Sequence, residues 1–107
     1  MSLPLKMIGN GCVHLEVGSE NFSLDLLFFQ LEKEDFPDLL IDDPHSRLQI
    51  KEIAAIIAFQ ERHHRCTVFV KAIATEHNFT SEVVVVPTVV EAVDYLSFEQ
   101  MQRDLGL

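Results

Sequence analysis

Between residues 12 and 17 the chain alternates: Val13, Leu15 and Val17 stand against Cys12, His14 and Glu16, the period of two expected of a strand with one wetter face. Leu3 to Ile8 forms a second such run, and Gly9-Asn10-Gly11 separates the two. Asn-Gly supplies the positive φ angles that a two-residue hairpin turn requires, so an antiparallel hairpin is predicted, with its His14 face exposed. From Phe22 to Glu34 the period changes to that of a helix. Phe22, Leu26, Phe29 and Lys33 follow one row, and Leu24, Leu27, Phe28 and Leu31 make further rows apolar. Burial against a sheet within one chain is the simpler account of so wide an apolar surface; contact with a second copy is the other.

Pro37 ends that helix, and Asp38-Leu39-Leu40-Ile41-Asp42, closed by Asp43-Pro44, reads as a short central strand buried on both faces. Ile50, Ile53, Ala54, Ile57 and Glu61 then recur at helical spacing, giving a second helix from about Gln49 to Arg62. Its basic end, His63-His64-Arg65, suits the negative pole of a helix C-terminus. Cys66 to Ile73 and Val83 to Val86 are rich in β-branched and aromatic residues and are expected to be strands. Thr88-Val89-Val90-Glu91 has the form of a capping box and starts a third helix; Ser97-Phe98-Glu99-Gln100 repeats that form, which predicts a break near Tyr95 and a fourth helix from Phe98 to Asp104.

Strands alternating with helices imply right-handed crossovers and a largely parallel sheet, to which the first hairpin adds an antiparallel edge. The expected fold is one α/β domain spanning residues 1–107, a mixed sheet of about five strands packed with about four helices. No internal repeat or linker divides it.

Charge narrows the partners. Eight basic against seventeen acidic residues leave a net charge of −9, which repels phosphate backbones, so no nucleic-acid partner is expected. The longest apolar runs fall far short of the roughly 20 residues of a membrane span, and Met1 to Ile8 lacks the pattern of a secretory leader. The expected setting is the cytoplasm, where the two cysteines, Cys12 and Cys66, stay reduced.

The element order, together with Asp38 to Asp42 before a helix and Val83-Val84-Val85-Val86-Pro87-Thr88-Val89-Val90-Glu91-Ala92 near the end, resembles the STAS domain, the fold of bacterial anti-anti-sigma factors. The chain looks most like short bacterial STAS-like proteins whose tails read approximately VVPTxxEAxDxIxxxEIERDLGF, matched here from Val85 through Leu107. Some of these are labelled ribonuclease Z. That enzyme's HxHxDH run, which holds two zinc ions, has no counterpart around His14, His45, His63, His64 or His77. The resemblance implies a non-enzymatic regulatory module that binds a protein partner, an anti-sigma-like or other signalling protein. STAS regulators that switch by phosphorylation carry D-S-[ST]-G at the start of the helix after the central strand. Ile50-Lys51-Glu52-Ile53 stands there in this chain without a hydroxyl, and Ser46 lies in the loop before it. The place of Glu52 near a helix start suits its permanent negative charge.

Asp42, Asp43, His45, His77 and Thr88 are expected near the C-terminal ends of the parallel strands, where open α/β sheets bind ligands. The simpler reading is that the two aspartates end the strand and cap the turn at Pro44. Cys66, His14 and Glu16 make a catalytic set only on paper, because Cys66 is expected inside the sheet, where apolar surroundings silence a thiol. No catalytic residue, cofactor or metal site is therefore expected. Partner binding is assigned to Asp43, His45, Ser46, Lys51 and Glu52, in the loop from Asp43 to Ile50 and on the helix that follows. The alternative is a small-ligand or lipid-binding module with a pocket lined by Phe22, Phe29 and Tyr95, and a homodimer through the first helix or the tail is a further expectation.

Overall fold

The computed structural model describes residues 3–9, 11–18, 22–45, 47–70 and 84–106. Five strands form one sheet in the order β1-β2-β3-β4-β5. β1 (Leu5–Met7) runs antiparallel to β2 (Cys12–Glu16), and β3 (Asp38–Asp42), β4 (Thr67–Val70) and β5 (Val85–Val86) continue parallel to β2. Three helices, α1 (Leu24–Lys33), α2 (Ile50–Arg62) and α3 (Val89–Asp104), complete the α/β architecture.

The connections β2-α1-β3 and β3-α2-β4 step across the sheet in the same direction, so crossovers of one hand place both helices on one face. There Leu27 and Leu31 of α1 and Ile53 and Ile56 of α2 meet Val13, Leu15, Leu39, Ile41 and Phe69. The intervening strand residues Cys12, Leu40, Val68 and Val70 point the other way and are covered by Ala92 and Leu96 of α3. Two-sided coverage is why β3 reads as an unbroken apolar run, and replacing a core residue such as Leu31 or Ile56 by alanine is expected to cost about 2–5 kcal/mol. At the sheet's outer edge β1 carries the exposed Lys6 and is preceded by the exposed Pro4, which discourage pairing with another chain.

Several boundaries differ from the sequence expectation. α3 is one unbroken helix from Val89 to Asp104, because Leu96 and Gln100 on either side of Ser97 both face the sheet and their contacts outweigh the local start signal of a serine left in solvent. The first hairpin closes across three residues rather than two: the Ile8 amide donates to the Cys12 carbonyl at 3.1 Å, and Gly11 takes a left-handed φ of 72°. The His14 face grades from buried Cys12 to exposed Glu16, with His14 itself half-buried, since α3 covers only one end of that face. Of the strand expected from Cys66 to Ile73, Thr67–Val70 is described; Ile73, His77 and Val83 lie outside the described residues.

Both α1 and α2 end in the same way. After α1 the Asp35 amide donates to the Glu32 carbonyl and the Phe36 amide to that of Leu31; after α2 the His64 and Arg65 amides donate to Glu61 and Gln60. These are Schellman closures, normally built with glycine, yet Asp35 (φ 64°) and His64 (φ 58°) occupy the left-handed position. They bring the C-termini of α1 and α2 to the edge where β3 and β4 begin.

Candidate functional site

The chemistry-bearing side chains gather at the two ends of the sheet. At the C-terminal end β3 runs into Asp43, whose amide donates to the Val70 carbonyl at 3.0 Å. Its side chain is fully buried and accepts from the Arg47 amide at 2.8 Å and the Leu48 amide at 3.1 Å. A carboxylate that receives two loop amides fixes the loop after Pro44 and lets Leu48 drop into the core. At the start of α2, Glu52 accepts from the Gln49 amide at 2.7 Å, meeting an orphan donor and the positive pole of the helix together.

These bonds divide the residues assigned to partner binding. Asp43 is enclosed and Glu52 is half-buried in its cap, while His45 and Lys51 are exposed; Ser46 lies outside the described residues. Arg47 is exposed as well, and Ile50 keeps 57% of its surface in solvent. The segment held by Asp43 thus presents an apolar side chain near the exposed Arg47 and Lys51 on a strongly acidic molecule. Nearby, His14 Nε2 lies 3.6 Å from Asp42 Oδ2, across the β2–β3 pair. Thr88 caps α3: its hydroxyl accepts from the Glu91 amide at 3.2 Å and donates to the Glu91 carboxylate, which is bound through the hydroxyl where the sequence suggested the Thr88 amide.

The N-terminal end holds a second polar cluster that the sequence did not announce. Asp38, only 2% exposed, receives the Cys66 amide at 2.8 Å, the Gln100 side-chain amide at 2.9 Å and the guanidinium of Arg103. Arg103 also donates to the His64 carbonyl at 2.9 Å, Arg65 donates to the Phe36 carbonyl, and the buried Gln60 bridges the carbonyls of Pro37 and Cys66. Together these bonds tie the ends of α2 and α3, the two helix-to-strand loops and the start of β3 to one another. Phe36, held at a φ of 54°, stacks on His63 with ring centres 3.9 Å apart. A signal for this cluster is present in the sequence: Asp38 leads an apolar run with no charge beside it, and Arg103 is the lone basic residue after Val84.

The thiols sit in this cluster and are silenced by it. Burial, then the carboxylates of Asp38 and Glu99, push the Cys66 thiol from 9.0 up to about 11, and burial and Asp38 raise Cys12 as well. Cys12, Asp38 and Cys66 lie level on three adjacent strands, so about two strand spacings, roughly 9.6 Å, separate the two cysteines, too far for a disulfide. His14 pairs with Leu40, two residues further along and two strands from Cys66, which separates the members of the paper triad. Burial and the Glu99 carboxylate likewise raise Tyr95.

A cleft of about 440 Å³ opens beside the N-terminal cluster, among Gly11, Phe36, Asp38, Arg65, Gln100 and Arg103. The pocket expected from Phe22, Phe29 and Tyr95 does not form: Phe22 packs on the α1/α2 face, Tyr95 on the α3 face, and Phe29 is exposed under the Lys33 ammonium. Among the described residues no three His, Cys, Asp or Glu side chains converge on a common point, and no helix is long and apolar enough to cross a membrane. Family models, curated proteins and solved structures were all compared with the chain, and none matches.

Proposed function

We propose that this protein is a cytoplasmic, non-enzymatic regulatory module of STAS type that binds a protein partner through the loop after β3 and the first turn of α2. The observation that carries this reading is the pre-ordered loop. Asp43 holds it by two amides from within, so Ile50, flanked by His45, Arg47 and Lys51, is offered to a partner without first having to be ordered. Pre-organisation of this kind reduces the entropy lost on docking. An exposed apolar side chain with Arg47 and Lys51 close to it in sequence suits an acidic partner surface with an apolar centre. The absence of a serine at the STAS switch position makes this docking constitutive with respect to that modification.

Affinity capture from native cell extract tests the reading, comparing the wild-type chain with Ile50→Ser/Lys51→Ala. Both side chains are exposed, so the variant is expected to fold. Loss of a specific interactor is the expected result, and retention of every interactor rejects this docking face. Glu52 is left in place because its removal would weaken the cap of α2.

The cleft by Asp38 supports a second reading, a small-ligand module: its volume is within the range of ligand pockets, about 300–1,000 Å³. Native mass spectrometry of freshly purified protein decides it, and a co-purified small molecule lost with Arg65→Ala would favour it over protein docking.

A further inference from the structure

Among the described residues nothing packs on the outer side of α3. Ala92 and Leu96 face the sheet, whereas Val90, Phe98, Met101 and Leu105 are 70%, 54%, 55% and 68% exposed. Phe98, Met101 and Leu105 follow one another at i, i+3 and i+7, so they form a continuous ridge along a helix whose 16 residues span roughly 24 Å. Glu91, Asp94 and Asp104 are exposed along the same stretch. The one cation of α3, Arg103, is turned inward to Asp38 and the His64 carbonyl. The ridge of Phe98, Met101 and Leu105 therefore continues toward the N-terminus of α3 into Asp94 and Glu91, four and seven residues before Phe98 on the same row, so the face is apolar toward one end and acidic toward the other.

We propose that the outer face of α3 is a docking surface for a cationic amphipathic helix of a partner protein. Leu-type side chains at helical spacing would pack along Phe98, Met101 and Leu105, and Lys or Arg beside them would meet Glu91, Asp94 and Asp104. Charge argues against a second copy, because a patch repeated on both subunits would gather Glu91, Asp94 and Asp104 of each into one interface, between molecules each carrying −9. Anionic membrane surfaces are repelled by the same carboxylates. This surface is separate from the loop after β3, and each can fail without the other.

The chain contains no tryptophan, so a probe peptide can report its own surroundings. The probe is a Leu/Lys amphipathic helical peptide of about 18 residues with one Trp on its apolar side, and a Leu/Glu peptide of the same pattern is the control. At roughly 0.15 M salt, where long-range attraction is screened, a blue shift of Trp emission on binding reports apolar contact rather than charge alone. Expected are binding of the Leu/Lys peptide, at least tenfold weaker binding to Phe98→Ser/Met101→Ser, and a reversed preference for the Leu/Glu peptide in Asp94→Lys. Circular dichroism checks that each variant is folded, and Phe29→Ser, an exposed apolar site on the opposite face, is expected to bind as wild type. An affinity unchanged by Phe98→Ser/Met101→Ser, or a loss as large with Phe29→Ser, overturns the proposal. So does a wild-type dimer in sedimentation that Phe98→Ser/Met101→Ser dissociates, which would assign the ridge to a second copy.

Discussion

The two ends of the sheet each bury an aspartate, and they use it differently. At the C-terminal end the Asp43 carboxylate accepts from backbone amides only four and five residues ahead, and these two bonds shape one loop. At the N-terminal end Asp38 takes donors 28, 62 and 65 residues away, and these bonds join β3 to β4 and to the far end of α3. A local carboxylate organises a surface; a long-range one holds the globule closed. The first leaves Arg47, Ile50 and Lys51 exposed around it, and the second uses up the groups that would otherwise look reactive.

The largest test of this contrast is the replacement of the two aspartates by alanine. Asp38→Ala takes a buried acceptor from the Cys66 amide, from Gln100 and from Arg103, which keeps the His64 carbonyl and is partly solvated, and is expected to cost about 3 kcal/mol in urea unfolding. Asp43→Ala removes the acceptor of two uncharged loop amides and is expected to cost less, about 1–2 kcal/mol, with its main effect on hydrogen exchange of the Arg47 and Leu48 amides. Equal losses would show that the ends do not differ in kind.

The thiols give a smaller, sharper measure. With Cys66 raised to about 11 from 9.0, its thiolate is about a hundredfold rarer at neutral pH than that of an ordinary cysteine; the higher intrinsic nucleophilicity of a more basic thiolate recovers part of this. Alkylation of the folded protein is expected to run about tenfold slower than in urea, with its pH midpoint near 11. The raised folded value means that Cys66 contributes stability in full below about pH 9 and loses it progressively as pH climbs through 11. Rapid alkylation of Cys66 at pH 7 would show that the N-terminal cluster is open. The smallest effect concerns the helix ends that frame it: His64→Gly removes a side chain from a left-handed position and is expected to stabilise by about 0.5–1 kcal/mol, read as a higher melting temperature.

The strands and the first two helices were legible because their residues repeat at the period of the structure they form. Asp43 was legible too, as a strand end and turn cap, because its partners lie a few residues ahead. The continuity of α3 was not. Ser97-Phe98-Glu99-Gln100 has the local form of a helix start, and only the sheet beneath Leu96 and Gln100 shows that the turn continues. Neither was the role of Asp38, since nothing within a few residues of it supplies its donors, nor the fate of Glu52, whose bond to the Gln49 amide takes it out of the pool of free surface charges.

Local order determined the α/β class, the alternation of strands and helices, and the acidic balance, because each follows from periodicity or from counting. Tertiary structure alone decided which polar groups are spent and which are free. Whether a carboxylate is a cap, a latch or an open contact depends on donors that the chain returns to it from tens of residues away, and on which face of the sheet each helix comes to cover.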